Sequence, residues 1–217
     1  MHNRSVVVVE DEALLRDLIA QSLEASGFSV ATAANAADAR RACAAFDPDA
    51  VVVDIELGLG PNGFDFVEAL HKDSPDVAVV FLTNLPDSRF AGRDPKSLPK
   101  SVAYLRKTQL VNSDDLTRAL ETVLQGVSAK EFRHDLAVSR PLAQLSQRQV
   151  SVLQLLALGY SNAQIAARRG TTVRAVEGII SRIFAALQID PSAPGNARVE
   201  AARAYLQASG HQIVEAS

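Results

Sequence analysis

The sequence predicts an α/β domain built on a doubly wound, five-stranded parallel sheet, followed by a small all-α domain. In the first half, short runs of Val, Ile, Leu and Ala alternate with helical patterns, and these runs lack the polar alternation of a strand with one solvated face. From about residue 143 onward the periodicity is helical throughout. We therefore expect domains over 1–126 and 143–217, joined by a linker over 127–142.

The first domain should contain five strands and four regular helices. The strands are predicted at 5–9, 29–33, 50–55, 77–82 and 102–106, and the helices at 12–25, 36–46, 64–71 and 113–125. A further helix should cross between the fourth and fifth strands, but residues 84–100 contain three prolines and a glycine. Because proline interrupts helical hydrogen bonding, we expect a fragmentary or shifted helix there.

The second domain should contain four helices. They are predicted at 147–158, 162–169, 173–187 and 197–208. Gly159 is expected to end the first, Ser161 to cap the second, and Thr171 or Thr172 to cap the third. The tight turn over 169–172 then makes the second and third helices a helix-turn-helix unit.

Composition and charge limit the class of protein. The N-terminal apolar run is too short for a signal peptide, and no stretch approaches spanning length, so we expect a cytoplasmic protein without a membrane partner. The lone cysteine, Cys43, excludes an intramolecular disulfide or a cysteine-built zinc site, and a packed, inert thiol is expected. Residues 1–126 carry 12 Lys and Arg against 19 Asp and Glu, whereas the remainder carries 10 against 6. This asymmetry indicates that only the second half meets a polyanion such as nucleic acid.

Polar residues stand at the carboxyl ends of the predicted strands. Glu10 and Asp11 follow the first strand and Asp54 follows the third, so the three carboxylates should converge on one pocket. Clustered carboxylates favour a neutralising cation, and all-oxygen ligands suit Mg²⁺. Thr83 and Lys107 add a hydroxyl and an ammonium to the same edge. Together these groups suit the acceptance of a phosphoryl group on a carboxylate.

This constellation resembles the receiver domain of bacterial two-component response regulators, a flavodoxin-like fold, over residues 4–126. The residues that carry the resemblance are Glu10, Asp11, Asp54, Thr83, Tyr104 and Lys107. The resemblance implies that Asp54 accepts the phosphoryl group, and that Glu10 and Asp11 hold Mg²⁺ with it. A strand-end Asp that merely caps the next helix is the alternative for any one of these carboxylates.

The same resemblance implies how the signal would leave the site. Thr83 would hydrogen-bond the phosphoryl oxygens, Lys107 would pair with them, and Tyr104 would change rotamer on activation; core filling is the alternative for Tyr104. Two stretches depart from the family: the loop 57–63 is longer and has Gly58 where the family usually has a proline four positions after the phosphoryl acceptor, and 84–100 is broken by prolines.

The helical half resembles the LuxR-type DNA-binding domain, and the whole chain resembles response regulators of the NarL/FixJ group. The motif residues are Leu145 to Ala166, Gly170 to Val173, Val176 and Glu177. On helix 173–187, periodicity places Val173, Val176, Ile180, Ile183 and Leu187 toward the core. The opposite face, which would read the major groove, then carries Arg174, Gly178, Ser181, Arg182 and Ala185.

Other positions of this domain are candidate phosphate or packing contacts. The candidate phosphate contacts are Arg168, Arg169, Thr171 and Thr172. Gly178, Ile179 and Ala186 stand where relatives usually carry longer polar side chains, which predicts weak affinity or altered specificity. The last helix should pack on the domain, and relatives use it to dimerise; its apolar positions are Val199, Ala202, Tyr205 and Leu206.

These features predict a phosphorylation-dependent DNA-binding transcription regulator rather than an enzyme. The expected partners are a cognate histidine kinase, double-stranded DNA and a second copy of the chain when phosphorylated. One alternative is a receiver-controlled protein-interaction module with weak or no DNA binding. Another is a haloacid-dehalogenase-type enzyme, which would need an Asp two residues after Asp54, where this chain has Glu56.

Overall fold

The structure, a computed structural model, describes residues 4–110, 112–193 and 195–210. Its described residues form two compact units. The sheet unit comprises the residues up to Asn84 together with Leu98–His134, and the helical unit comprises Leu85–Ser97 together with the residues from Asp135 onward. This grouping differs from the domain bounds of 1–126, 127–142 and 143–217, which stay a prediction.

The sheet unit contains the predicted five-stranded parallel sheet, and its strand order is β2-β1-β3-β4-β5. The strands are β1 (Ser5–Val9), β2 (Ser29–Ala33), β3 (Ala50–Val53), β4 (Ala78–Thr83) and β5 (Ala103–Arg106). β1 and β3 are buried along almost their whole length because helices cover both faces of the sheet, which explains their unbroken apolar runs. β3 ends at Val53, two residues before its predicted end.

Four helices belong to the sheet unit, and their bounds lie within two residues of the prediction. They are α1 (Ala13–Ala25), α2 (Ala36–Phe46), α3 (Gly63–Asp73) and α4 (Ser113–Leu124). Three of them begin at an asparagine whose side chain accepts a backbone N–H of the first turn: Asn35, Asn62 and Asn112. Cys43 is buried on α2, and this burial raises the pKa of its thiol to about 11, which suppresses the reactive thiolate near neutral pH.

The crossover segment, Leu85–Ser97, replaces the helix expected between β4 and β5. It holds two short 3-10 helices, Ser88–Ala91 and Pro95–Ser97, in agreement with the predicted fragmentary helix. Its packing was not anticipated, because the segment folds with the helical unit.

The chain after α4 remains packed on the sheet unit. A 3-10 helix, Lys130–Phe132, buries Phe132 in the core beside β5. Tyr104 forms an isolated parallel β-bridge with Arg133, and the backbone N–H of Arg106 donates to His134 Nδ1 at 3.1 Å. The first part of the predicted linker is therefore ordered by contacts that its polar composition does not indicate.

The helical unit contains α5 (Gln147–Ala157), α6 (Asn162–Arg168), α7 (Val173–Leu187) and α8 (Ala197–Ala208). Ser161 caps α6 as predicted, and Thr172 rather than Thr171 caps α7. Ser146 caps α5 in the same way. Gly159, with φ of +83°, follows the end of α5 in a conformation that glycine adopts without strain.

One prediction about the faces of these helices was wrong. Val173 is 42% exposed, although it was predicted to face the core, and Val199, an apolar position of the last helix, is 52% exposed. Both lie in the first turn of their helices, where only part of the apolar stripe is covered. Ile179, at a position where relatives usually carry a longer polar side chain, is only 2% exposed, because it lies three residues after Val176 and four before Ile183 and so shares their stripe.

Within the described ranges, no helix combines the length and the apolar character that crossing a bilayer requires.

Candidate functional site

The predicted carboxylates lie at the carboxyl ends of β1 and β3. The parallel register pairs Val9 with Val53, so Glu10 and Asp54 follow at neighbouring positions. The backbone N–H of Asp54 donates to the carbonyl oxygen of Val9 at 2.9 Å, which extends the ladder by one bond and holds the two side chains at the same edge.

These acids form a cluster suited to a hard cation. One carboxylate oxygen each from Glu10, Asp11 and Asp54 lies within 4.8 Å of the other two. Glu10 and Asp54 are buried, whereas Asp11 is exposed. Three oxygen ligands with one open side fit Mg²⁺, which binds through a few carboxylates and keeps several waters.

Lys107 joins the two buried carboxylates. Its Nζ lies 2.6 Å from Asp54 Oδ2 and 2.7 Å from Glu10 Oε2. Burial alone would lower the pKa of Lys107, but the charge of Asp54 and the hydrogen bonds to both carboxylates outweigh it, so the pKa is raised. Burial raises the pKa of Glu10; the hydrogen bond from Lys107 opposes this shift and the charge of Asp54 adds to it. The ammonium is therefore firmly charged and shared by two acids.

The loop after Asp54 depends on two glycines. The N–H of Glu56 donates to Asp54 Oδ1 at 3.1 Å, and Gly58, with φ of +72°, brings the loop beside Asp11. A Cβ on Gly63 would lie 2.2 Å from the backbone oxygen of Asp54, so only glycine allows α3 to begin this close to β3. Sequence reasoning missed Gly63, since nothing local marks a close approach between distant backbones.

Thr83 and Tyr104 lie on the neighbouring strands. Thr83 ends β4 and is fully buried. Tyr104 is fully buried on β5, where it pairs with Phe81, and the two ring centroids are 6.4 Å apart. The structure thus brings four predicted residues into one cluster and places Thr83 at the same sheet edge, with Tyr104 in the interior. The switch role of Tyr104 stays a prediction.

In the helical unit, α7 presents the predicted outward face. Arg174, Ser181 and Arg182 are exposed, and the Cβ position of Gly178 opens into free space. The Ser181 hydroxyl donates to the backbone oxygen of Glu177 at 3.0 Å. Two arginines, separated by a glycine and a serine, therefore dominate this face.

The candidate phosphate contacts before α7 differ in their availability. Arg168 is exposed, and its guanidinium lies 3.8 Å from the centroid of the Tyr160 ring. Arg169 donates from Nη1 to Ser151 Oγ at 2.6 Å, and Thr172 accepts the N–H of Ala175 as the helix cap. Arg169 and Thr172 thus have structural roles, while Arg168 and Thr171 keep at least part of their surface open; all four remain candidates.

Comparison with known families gives two matches along the chain. The family described as response regulator receiver domain matches residues 6–93, and the family described as bacterial regulatory proteins, luxR family, matches residues 143–191. The receiver match stops within the crossover segment, where this chain departs from the usual pattern.

The chain also matches curated relatives along most of their length. The chain is 26% identical over 204 residues to the oxygen regulatory protein NreC of Staphylococcus epidermidis, covering 85% of this chain and 91% of that protein. It is 29% identical over 209 residues to the response regulator Rre1 of Synechocystis sp., covering 83% and 88%. RcsB from Salmonella enterica, solved bound to promoter rprA, has a similar fold, with a TM-score of 0.60, 15% identity and coverage of 95% and 99%.

The fold, the acidic cluster and these matches define the class: the chain joins a response regulator receiver domain to a LuxR-type domain. This order of domains is that of the NarL/FixJ group, which the chain resembles. The resemblance inferred from the sequence is confirmed.

Proposed function

We propose that this chain is a transcription regulator whose binding to double-stranded DNA is controlled by phosphorylation of Asp54. One observation carries the proposal: a buried Asp at a strand end shares the ammonium of Lys107 with Glu10, at 2.6 and 2.7 Å, and Asp11 lies beside them. An isolated capping Asp has no need of a buried cation and two further acids. This arrangement supports phosphoryl acceptance over helix capping.

A phosphohistidine on a cognate histidine kinase is the proposed donor. A carboxylate oxygen of Asp54 forms the new P–O bond while the P–N bond of the donor breaks and the histidine nitrogen keeps the electron pair. Glu10, Asp11 and Asp54 would hold Mg²⁺, which neutralises charge on the transferring group. Lys107 is already in place to pair with the added oxygens.

The acyl phosphate would then be read by the neighbouring strands. It adds about −1.5 to −2 in charge and strong acceptor oxygens, which favour a hydrogen bond from the Thr83 hydroxyl. A shift of β4 near Thr83 changes the surroundings of Tyr104 on β5. The resulting population shift needs only a few kcal/mol and would favour a homodimer that binds a two-fold DNA site.

α7 is the proposed reading element in the major groove. Arg174 and Arg182 would contact bases or phosphates, with Gly178 and Ser181 allowing close approach. Arg168 and Thr171, with the remaining donors of Arg169 and Thr172, would contact phosphates beside the N-terminus of α7.

The phosphorylation step is tested by intact-mass analysis with acetyl phosphate and Mg²⁺, with the oligomeric state recorded for the same samples. Wild type should gain one phosphoryl group and dimerise, and Asp54→Ala should do neither. Asp17→Asn, which changes an exposed acid of α1, is the matched control and should behave as wild type. An unmodified wild type would refute the mechanism. Continued turnover of a phosphate ester in Mg²⁺, instead of one stoichiometric transfer, would favour an enzyme.

The DNA step is tested by the salt dependence of binding to duplex DNA selected from a random-sequence library. Each lost phosphate contact should reduce the slope of log affinity against log salt by about 0.9, and a lost base contact should cost about 1–3 kcal/mol. Arg182→Ala should show one of these effects, whereas Arg41→Ala, an exposed arginine of α2, should show neither.

A protein-interaction module is the second candidate function. It is favoured by the absence of long polar side chains at Gly178 and Ala185 on the outward face of α7. Such a module would bind no duplex DNA with a salt-dependent affinity, although it would still take up a phosphoryl group at Asp54. The two experiments together separate the functions.

A further inference from the structure

The crossover segment (Leu85–Ser97) contributes an unusual set of buried side chains to the helical unit. Its first 3-10 helix and the residues before it are almost fully buried, including the charged Asp87 and Arg89. Phe90 is also buried, and its ring stacks on Tyr205 of α8, with centroids 5.3 Å apart and planes at 25°. This segment connects two strands of the receiver sheet in the sequence, yet its side chains form part of the core under α5 and α8.

Arg89 makes a bidentate ion pair inside this core. Its Nε donates to Asp87 Oδ1 at 2.8 Å and its Nη2 donates to Asp87 Oδ2 at 2.6 Å. Asp87 Oδ1 also accepts the backbone N–H of Arg89 at 2.9 Å, which caps the 3-10 helix. Asp87 has no exposed surface and Arg89 only 5%, so neither charge has water as a substitute partner.

The remaining donors of Arg89 hold the chain just before α5. Nη1 donates to the carbonyl oxygens of Leu142, at 3.1 Å, and of Leu145. Leu142 has a φ of +54°, a conformation that is costly for a residue with a Cβ and needs support from its surroundings. Arg140 Nε lies 3.2 Å from Asp87 Oδ2 as an ion pair without hydrogen-bond alignment. Arg89 thus orders the entrance to α5.

We propose that the crossover segment couples the phosphorylation site to the DNA-binding unit, with Arg89 as its anchor. Thr83 ends β4, and only Asn84 separates it from the segment. Consecutive Cα atoms stay about 3.8 Å apart, so the chain cannot stretch when Thr83 moves. Either the backbone dihedrals of the next one or two residues change, or the crossover segment moves with Thr83. In the second case, Asp87 and Arg89 transfer the movement to the carbonyl groups of Leu142 and Leu145. This coupling rests on the proposed function, since it needs Thr83 to respond to phosphorylation.

Hydrogen exchange of the full-length chain tests the coupling. Acetyl phosphate with Mg²⁺ is the probe, and intact mass records phosphoryl uptake in each sample. Phosphorylated wild type should change its exchange both in the crossover segment and over 142–156, and Asp54→Ala should change in neither. Arg89→Gln should take up the phosphoryl group as wild type does but show no change over 142–156.

Two further variants control for a general loss of structure. Without phosphorylation, Arg89→Gln should already exchange roughly ten- to a hundredfold faster over 142–150, because buried carbonyls lose their donors. Lys96→Gln, an exposed cation in the same segment, should match wild type in every measurement. Arg140→Gln leaves the Asp87–Arg89 pair in place and should give an intermediate effect, which keeps the test decisive if Arg89→Gln does not fold.

The outcomes distinguish the coupling from the proposed function. Phosphorylated wild type that changes near Thr83 but not over 142–156 overturns the coupling and leaves the proposed function intact. An Arg89→Gln protein that transmits the change as wild type does also overturns the coupling and leaves the proposed function intact. A wild type that takes up no phosphoryl group refutes both, while the faster exchange of Arg89→Gln over 142–150 still reports separately on the anchor.

Discussion

Two ion clusters in this chain both pair carboxylates with cationic side chains, but they differ in which charge is in excess. In the sheet unit, Glu10 and Asp54 share the ammonium of Lys107 and the exposed Asp11 lies beside them, so negative charge is in excess. In the helical unit, the single carboxylate of Asp87 faces two guanidinium groups.

The two clusters differ in how the excess charge is satisfied. Surplus guanidinium donors have backbone carbonyl oxygens as partners: Arg89 uses those of Leu142 and Leu145, and Arg140 uses that of Ala137 at 3.0 Å. Carboxylates accept hydrogen bonds but cannot donate them, so surplus acids require a cation. The acidic cluster therefore favours a bound cation, whereas the guanidinium groups of the arginine cluster are held by a carboxylate and by backbone oxygens of the protein and support the local fold.

The largest effect is expected from Asp87→Asn, which leaves the buried guanidinium group of Arg89 and the half-buried one of Arg140 without their carboxylate. Breaking such a pair should destabilise the helical unit by about 3–5 kcal/mol. Urea unfolding followed by exchange of α5 amides measures this loss unit by unit. Mg²⁺ should not restore it, and a recovery with Mg²⁺ would contradict the distinction between the clusters.

Lys107→Met should destabilise the sheet unit by about 2 kcal/mol, since two buried acids lose their shared cation near a partly open edge. Here Mg²⁺ should compensate, contributing about 2.7 kcal/mol at one hundred times its dissociation constant. Exchange of β3 amides with and without Mg²⁺ checks this result. Lys100→Met, an exposed lysine, is the control, and equal Mg²⁺ responses in both variants would refute the prediction.

Two glycine-to-alanine substitutions should change the stability of the protein in opposite directions. Gly63→Ala places a methyl group against the backbone of Asp54 and should cost about 1–3 kcal/mol of sheet-unit stability. A Cβ at position 178 would have no neighbour within 4 Å, so Gly178→Ala should stabilise α7 by up to about 1 kcal/mol. Thermal unfolding of the two variants beside wild type tests both signs, and a stabilising Gly63→Ala would show that the site tolerates displacement of α3.

A partly solvated ion pair, Arg4 with Asp49, should give the smallest effect. Burial raises the pKa of Asp49, but hydrogen bonds from the backbone N–H of Ser5, at 2.8 Å, and from Arg4, at 2.6 Å, outweigh burial and lower it below 3.8. A lowered folded-state pKa stabilises the fold above 3.8, and this contribution is lost as the pH falls through the folded-state value.

Asp49→Asn should therefore cost about 1 kcal/mol or less at pH 7, and its difference from wild type should shrink below pH 3.8. Urea unfolding across this pH range measures the difference. Asp76→Asn, an exposed acid, is the control, and a gap that widens on acidification would reverse the assigned sign.

Local patterns were sufficient for most of the architecture. The apolar runs located all five strands, and strand-end positions located Glu10, Asp54 and Lys107, because parallel strands bring their carboxyl ends to one edge. Helix caps such as Ser161 were equally visible, since a cap acts within three residues of itself. Prolines correctly predicted a broken crossover but could not say where it packs.

What the sequence by itself determined is therefore whatever depends on neighbours along the chain: strands, helices, caps and the edge at which acids gather. Only the tertiary structure decided contacts between distant residues, such as the close approach of Gly63 to Asp54 and the bonds of Arg89 to Leu142 and Leu145, 53 and 56 residues away. It also decided that Ile179 is buried and Val173 exposed. The physical reason is that periodicity and propensity act over a few residues, whereas burial and ion pairing depend on which surfaces meet after the chain has folded.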